Sequence, residues 1–156
     1  MTDPAHPGRM LFVSLPVADL QRSKAFFAKL GFTFDPNFTD DTAARMLVGE
    51  QASVMLLGHR QLRELGELLM ADPATHTLAL YCFSVASREE VDTVSQAALA
   101  AGAVEADGLE DYGFMCSRSF FDLDGHGWQV MWMDPAATLQ GSEEFAASAR
   151  DAHTPA

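Results

Sequence analysis

The run Asp122-Leu123-Asp124-Gly125-His126-Gly127-Trp128-Gln129-Val130-Met131-Trp132 gathers carboxylates, an imidazole and an amide around one tight turn and one strand. Asp-Gly supplies the backbone freedom a hairpin turn needs. Alternation along the strand puts Gln129, Met131 and Met133 on one side and Trp128, Val130 and Trp132 on the other. The tryptophans are expected in the core and the His126 ring at the surface of the turn. The Gln129 amide is a poor divalent-ion ligand beside a carboxylate. It is no general base either, because it accepts no proton near neutrality. Cys82 is a nucleophile only as thiolate, and the sequence places no His or acid beside it, so an inert thiol is expected. Arg118, with Tyr112 nearby, has the fork that holds a carboxylate or phosphate by two hydrogen bonds. A surface ion pair in an acidic protein is the competing reading for Arg118.

The elements that must position these residues read as two similar halves. In the first, Met10–Pro16 is a strand with Leu11, Val13 and Leu15 on one face. Asp19 caps a helix from Leu20 to Leu30, which Gly31 ends. Strands follow near Phe32–Phe34, Ala44–Val48 and Ser53–Leu57, interrupted by the polar Asn37–Asp41 segment. In the second half a strand over Thr77–Val85 precedes a helix opened by the capping-box pattern Ser87-Arg88-Glu89-Glu90 and ended by Gly102. Strands near Ala103–Ala106, Phe114–Phe121 and Trp128–Met133 complete it. Each half is therefore β-α-β-β-β, an α+β chain whose repeat is one of pattern. An extra helix over Arg60–Met70 is expected between the halves, and a short helix over Ser142–Arg150 in the tail after Pro135. The expected organisation is an arm over residues 1–9, one domain over 10–134 with modules at 10–58 and 77–134, and a tail over 135–156.

A chain of 156 residues, 48% hydrophobic and 21% charged, has the composition of a globular domain. Its net charge of −12 argues against a nucleic-acid partner, since phosphate contacts need a basic surface. No apolar run is long enough to cross a bilayer. The N-terminus lacks the basic and apolar regions of a signal peptide. Cys82 and Cys116 read as reduced thiols, and with that leader absent the expected compartment is the cytoplasm.

Two βαβββ units, the segment Leu15-Pro16-Val17-Ala18-Asp19-Leu20-Gln21-Arg22-Ser23-Lys24-Ala25-Phe26-Phe27 with Leu30-Gly31-Phe32, and the closing Asp-x-Asp-Gly-His resemble the vicinal oxygen chelate superfamily. That group contains glyoxalase I, bleomycin-resistance proteins, fosfomycin-modifying enzymes and extradiol dioxygenases. Tyr112-Gly113-Phe114-Met115, Arg118-Ser119-Phe120 and Met131-Trp132-Met133-Asp134-Pro135 look like the branch labelled predicted lactoylglutathione lyases. The resemblance implies a half-open barrel-like sheet with helices outside and a cavity inside. It also implies a homodimer and, in metal-using members, four ligands from the first and last strands of the units. Those positions fall at Phe12, Met55, Leu80 and Gln129. Phe, Met and Leu offer no N or O donor, so the usual metal chemistry is expected to be disabled.

The expected inner face is Phe12, Ser14, Met55, Leu57, Leu80, Cys82, Gln129 and Met131, with Tyr112 and Arg118 as further ligand contacts. These side chains either line a small-molecule cavity or fill it themselves. The favoured function is metal-free binding of a small organic ligand, with no cofactor. The alternative is a lyase or isomerase of the lactoylglutathione lyase type, with a divalent metal on a displaced set such as His59, His76 and Gln129. In that set each His shares a strand face with a former ligand position, provided the strands extend that far. A third reading is a regulatory protein whose contact is the Ser142–Arg150 helix.

Overall fold

The computed structural model describes residues 8–64, 66 and 69–140. The chain divides into two compact units, Met1–Asp72 and Pro73–Ala156. The first contains β1 (Leu11–Val17), α1 (Leu20–Lys29), β2 (Thr33–Thr39), β3 (Ala43–Gly49), β4 (Ala52–Gly58) and α2 (His59–Arg63). The second contains β5 (Leu80–Ser84), α3 (Arg88–Ala100), β6 (Val104–Asp111), β7 (Met115–Phe121), β8 (Gly127–Met133) and α4 (Pro135–Gln140). Each unit is a four-stranded mixed sheet, ordered β1-β4-β3-β2 in the first and β5-β8-β7-β6 in the second. The expected α+β class and paired βαβββ modules are what the structure has. Among the described residues no helix is long and apolar enough to cross a membrane.

The two units are built by the same local rules. The Asp19 carboxylate accepts the Arg22 backbone N–H at 3.0 Å to open α1, and the Ser87 hydroxyl accepts that of Glu90 at 3.2 Å to open α3. Glu90 reaches back to the Ala86 N–H, one residue ahead of the cap, at 2.9 Å. Gly31 and Gly102 end the helices with φ of 96° and 108°, the left-handed conformation that favours a residue without Cβ. The chain then folds back identically, Phe32 donating to the Phe27 carbonyl and Ala103 to that of Ala98.

Within each unit the last strand runs parallel to the first and antiparallel to the third. Phe12 pairs with Ser53 and Ser14 with Met55, while Leu80 pairs with Gly127 and Cys82 with Gln129. Met55 and Gln129 are thus counterparts, as are Phe12 and Leu80. One face of each sheet carries the core. In the first unit Leu15, Val17, Met46 and Leu56 are buried with Phe26 and Phe27 of α1. In the second, Cys116, Phe120, Trp128 and Val130 are buried with Val91 and Ala98 of α3. Burial of such side chains supplies the main stabilisation, about 1.5–3 kcal/mol each.

Several expected boundaries move. β2 and β6 extend beyond Phe34 and Ala106, through Pro36 in one case and a run of acidic residues in the other. Both are edge strands with shifted register, where a missing donor or an outward charge is tolerated. β5 begins only at Leu80, so Thr77 precedes it. The helix expected over Arg60–Met70 is short, His59–Arg63, and Gly66, Leu69 and Met70 are not helical. Leu65, Glu67 and Leu68 lie outside the described residues, as does the Ser142–Arg150 helix. α4 was not anticipated, although Asp134 caps it by accepting the Ala136 N–H at 2.9 Å and Pro135 suits a first helical position.

Gly125, with φ of 97°, brings the closing turn against the chain that enters β5. A Cβ there would lie 2.9 Å from both Ala74 Cα and the Pro73 carbonyl oxygen. Gly125→Ala therefore combines backbone strain with a backbone clash, and is expected to cost about 2 kcal/mol or more in urea denaturation. A variant as stable as the parent would show that this approach does not hold the turn.

Candidate functional site

The turn before β8 is organised by one carboxylate. Asp122 Oδ1 accepts backbone N–H groups from Asp124, Gly125 and His126 at 2.9, 3.1 and 3.0 Å. Asp122 Oδ2 accepts the Trp128 indole N–H at 2.9 Å. Asp122 is buried, and burial pushes its carboxyl above the usual range, against the pull of the Trp128 indole, His126 and the backbone donors. His126, expected at the surface, is buried instead, because the turn that wraps Asp122 folds its ring inward beside Tyr81, 6.4 Å between centroids. Tyr81 in turn stacks at 5.3 Å on Trp128.

This anchored turn delivers β8 with Gln129 on the face away from α3. A cavity of about 260 Å³ opens there, within the second unit, lined by Leu80, Tyr81, Phe121, Ser119, His126 and Gln129 among others. Gly127 lies on its floor between Leu80 and Phe121, its paired neighbours on β5 and β7. A Cβ at Gly127 would come 3.4 Å from Leu80 Cδ1 and 3.7 Å from Phe121 Cε1. A Cβ alone would thus meet its neighbours at ordinary van der Waals distance, and a larger side chain would take up space on the Gln129 face. Ser119 is the direct partner of Gln129 across β7–β8. Gln129 Nε2 donates to Ser117 Oγ at 3.4 Å, a long bond, and among the described residues nothing donates to its amide carbonyl oxygen. Asp107 supplies a carboxylate at the edge of the cavity.

Of the expected ligand residues, Leu80 and Gln129 line this cavity. Cys82 and Met131 share the Gln129 face of the sheet by alternation and pairing, without lining the cavity. The exposed Cys82 residue keeps its thiol against neighbours that desolvate it, which pushes its pKa up and leaves it a poor nucleophile. Arg118 requires correction. On β7 it alternates with Cys116 and Phe120 and is paired with Val130, so it stands on the helix-facing side, opposite Gln129. There it donates to Asp92 of α3 at 3.0 Å and Glu105 of β6 at 2.7 Å, an ion-pair network. Tyr112 also needs correcting: it lies in the β6–β7 connection, its N–H bonded to the Met115 carbonyl, and does not line the cavity. Trp132 is half-buried beneath the Arg88 guanidinium, 5.3 Å from its ring.

In the first unit Phe12, Ser14, Met55 and Leu57 share the sheet face away from α1. Phe12 and Ser14 are exposed, Met55 is half-buried and Leu57 is buried. Arg45 of β3, which the sequence reading passed over, lies among them as the direct partner of Met55. The displaced histidine set loses its basis in strand geometry. β4 ends at Gly58, so His59 begins α2, and His76 precedes β5, held to Thr75 Oγ1 at 2.7 Å. Among the described residues no three His, Cys, Asp or Glu side chains form a group that could hold a metal ion. The donors at Phe12, Met55, Leu80 and Gln129 do not fit a divalent ion either, offering between them one neutral amide oxygen.

These two repeated units define a class. The chain shares its fold with solved proteins of the glyoxalase/bleomycin resistance/dioxygenase kind. A family model described as bleomycin resistance protein-like N-terminal matches residues 9–49. A glyoxalase-related enzyme from Fulvimarina pelagi aligns with a TM-score of 0.67 at 17% identity, over 80% of this chain and 88% of that one. A glyoxalase/bleomycin resistance protein/dioxygenase family enzyme from Burkholderia phytofirmans PsJN gives 0.65 at 17% identity, over 78% and 96%. The fosfomycin resistance protein FosX from Listeria monocytogenes gives 0.57 at 16% identity, over 86% and 94%. No curated protein matches the chain in sequence.

Asp122→Asn would turn an amide N–H₂ toward either the backbone donors or the Trp128 indole, leaving a buried donor without an acceptor. The expected loss is about 2–4 kcal/mol by chemical denaturation, with a changed near-ultraviolet signal from Trp128. Unaltered stability and spectrum would remove Asp122 from its organising place.

Proposed function

We propose that the protein binds a small organic molecule in the cavity around Gln129, and that it does so without a divalent metal. The supporting observation is the pairing of an open space, floored by Gly127, with donors that cannot ligate a metal. Leu80 and Phe121 offer apolar walls, while the Gln129 carbonyl, the Ser119 hydroxyl and Asp107 offer a few directional polar contacts. That mixture orients a ligand chiefly by shape. About 260 Å³ suits a compact molecule or one end of a larger one. At the last-strand position where the resemblance puts the carboxylate of glyoxalase-type lyase or isomerase chemistry, this chain has a neutral amide, Gln129, which moves no proton. The fold is shared with proteins named for bleomycin and fosfomycin resistance, so antibiotics belong in the first ligand panel beside metabolites.

Thermal-shift screening of such a panel, with chelator and with added divalent metals, tests the reading. At least one compound is expected to raise the melting temperature equally in both conditions. Gly127→Leu should fold, since its backbone is not in a left-handed conformation, and should abolish that shift by filling the cavity. Shifts that appear only with metal, or that persist in Gly127→Leu, would contradict it.

A further inference from the structure

Arg45 is largely enclosed, but one edge of its guanidinium is open to solvent. Its side chain is 15% exposed, with Nη1 bonded to Asp35 Oδ2 at 3.0 Å and Nε to Ser53 Oγ at 3.1 Å. The guanidinium stacks on the Phe12 ring at 5.1 Å and on the Phe38 ring at 5.5 Å. Its remaining nitrogen, Nη2, has no acceptor among the described residues. Phe12 and Phe38 are themselves 50% and 60% exposed. A fixed cation with an unused edge, between two half-bare aromatic rings, is a poor way to fill a sheet face. It suits an oxyanion with an apolar body: the fork takes the anion and the rings take the body.

We infer that Arg45, Phe12 and Phe38 form a second binding site, in the first unit, for a small organic carboxylate. Asp35 and Ser53 fix the guanidinium plane so that Nη2 is offered to the ligand. Asp35 also neutralises part of the charge, which limits affinity for bare inorganic anions and makes the apolar contact necessary.

The test is a titration of the full chain with benzoate, and separately with inorganic phosphate, following the Arg45 Nε–H resonance by NMR. Benzoate is expected to shift that resonance saturably, and phosphate to bind more weakly. Arg45→Lys, which keeps charge but loses the fork, should weaken benzoate binding about tenfold. Asp35→Asn should tighten it, because a competing carboxylate is gone; an Arg45–Asp35 pair with only a packing role gives no such gain. Dispersed amide spectra establish that each variant is folded. Gly127→Leu should leave the Arg45 response unchanged, so this result stands or falls separately from the cavity at Gln129. The inference is overturned by an absent or non-saturating shift, by equal affinity in Arg45→Lys, by weaker binding in folded Asp35→Asn, or by phosphate binding as tightly as benzoate.

Discussion

The Asp122 carboxylate is the contact on which the second unit's site depends. It collects four N–H donors, three from the turn backbone and one from the Trp128 indole. Those bonds fix how the chain enters β8, and with it the register against β5 and β7. A strand that slipped by one residue would exchange its faces, turning Gln129 into the core and Trp128 into the cavity. The buried anion has a desolvation cost, visible in its raised carboxyl pKa, and the donor set offsets it. Structure bought in this way is local: it specifies one turn and one face.

The β3–β4 turn of the first unit is only Glu50 and Gln51, and the Glu50 carboxylate is exposed where Asp122 is buried. Its sheet face is organised instead by Arg45, reaching Asp35, Ser53, Phe12 and Phe38 on the three other strands. The two units therefore share topology, helix caps and register while differing in what their open faces hold. One presents an apolar cavity with a neutral amide, the other a paired guanidinium between aromatic rings. In neither case do the counterpart positions Phe12, Met55, Leu80 and Gln129 supply the anionic or imidazole donors that would hold a divalent ion.

Much of this architecture was legible in the sequence because its signals are local. Asp19, Ser87, Gly31 and Gly102 mark helix ends by backbone chemistry, and strand alternation correctly put Trp128 in the core and Gln129 on the other face. The boundaries of β2 and β6 were less legible because edge strands tolerate Pro36 and acidic residues that read as loop. The family resemblance puts Arg118 at a ligand, whereas the alternation of β7 sets it beside Cys116 and Phe120. The burial of His126 follows from the Asp122 network, whose donors become visible only when the turn closes. Gly127 falls between the Asp-Gly turn and the strand expected from Trp128, and its place between Leu80 and Phe121 depends on pairing with two other strands. Arg45 left no motif at all, since its partners are scattered along the chain and meet only through the sheet.

The central claim is that these faces recognise organic ligands through side chains alone. Elemental analysis of the purified, unchelated protein addresses it most directly. The account predicts far less than one equivalent of zinc, nickel, manganese or iron per chain, whereas about one equivalent, retained through gel filtration, would contradict it.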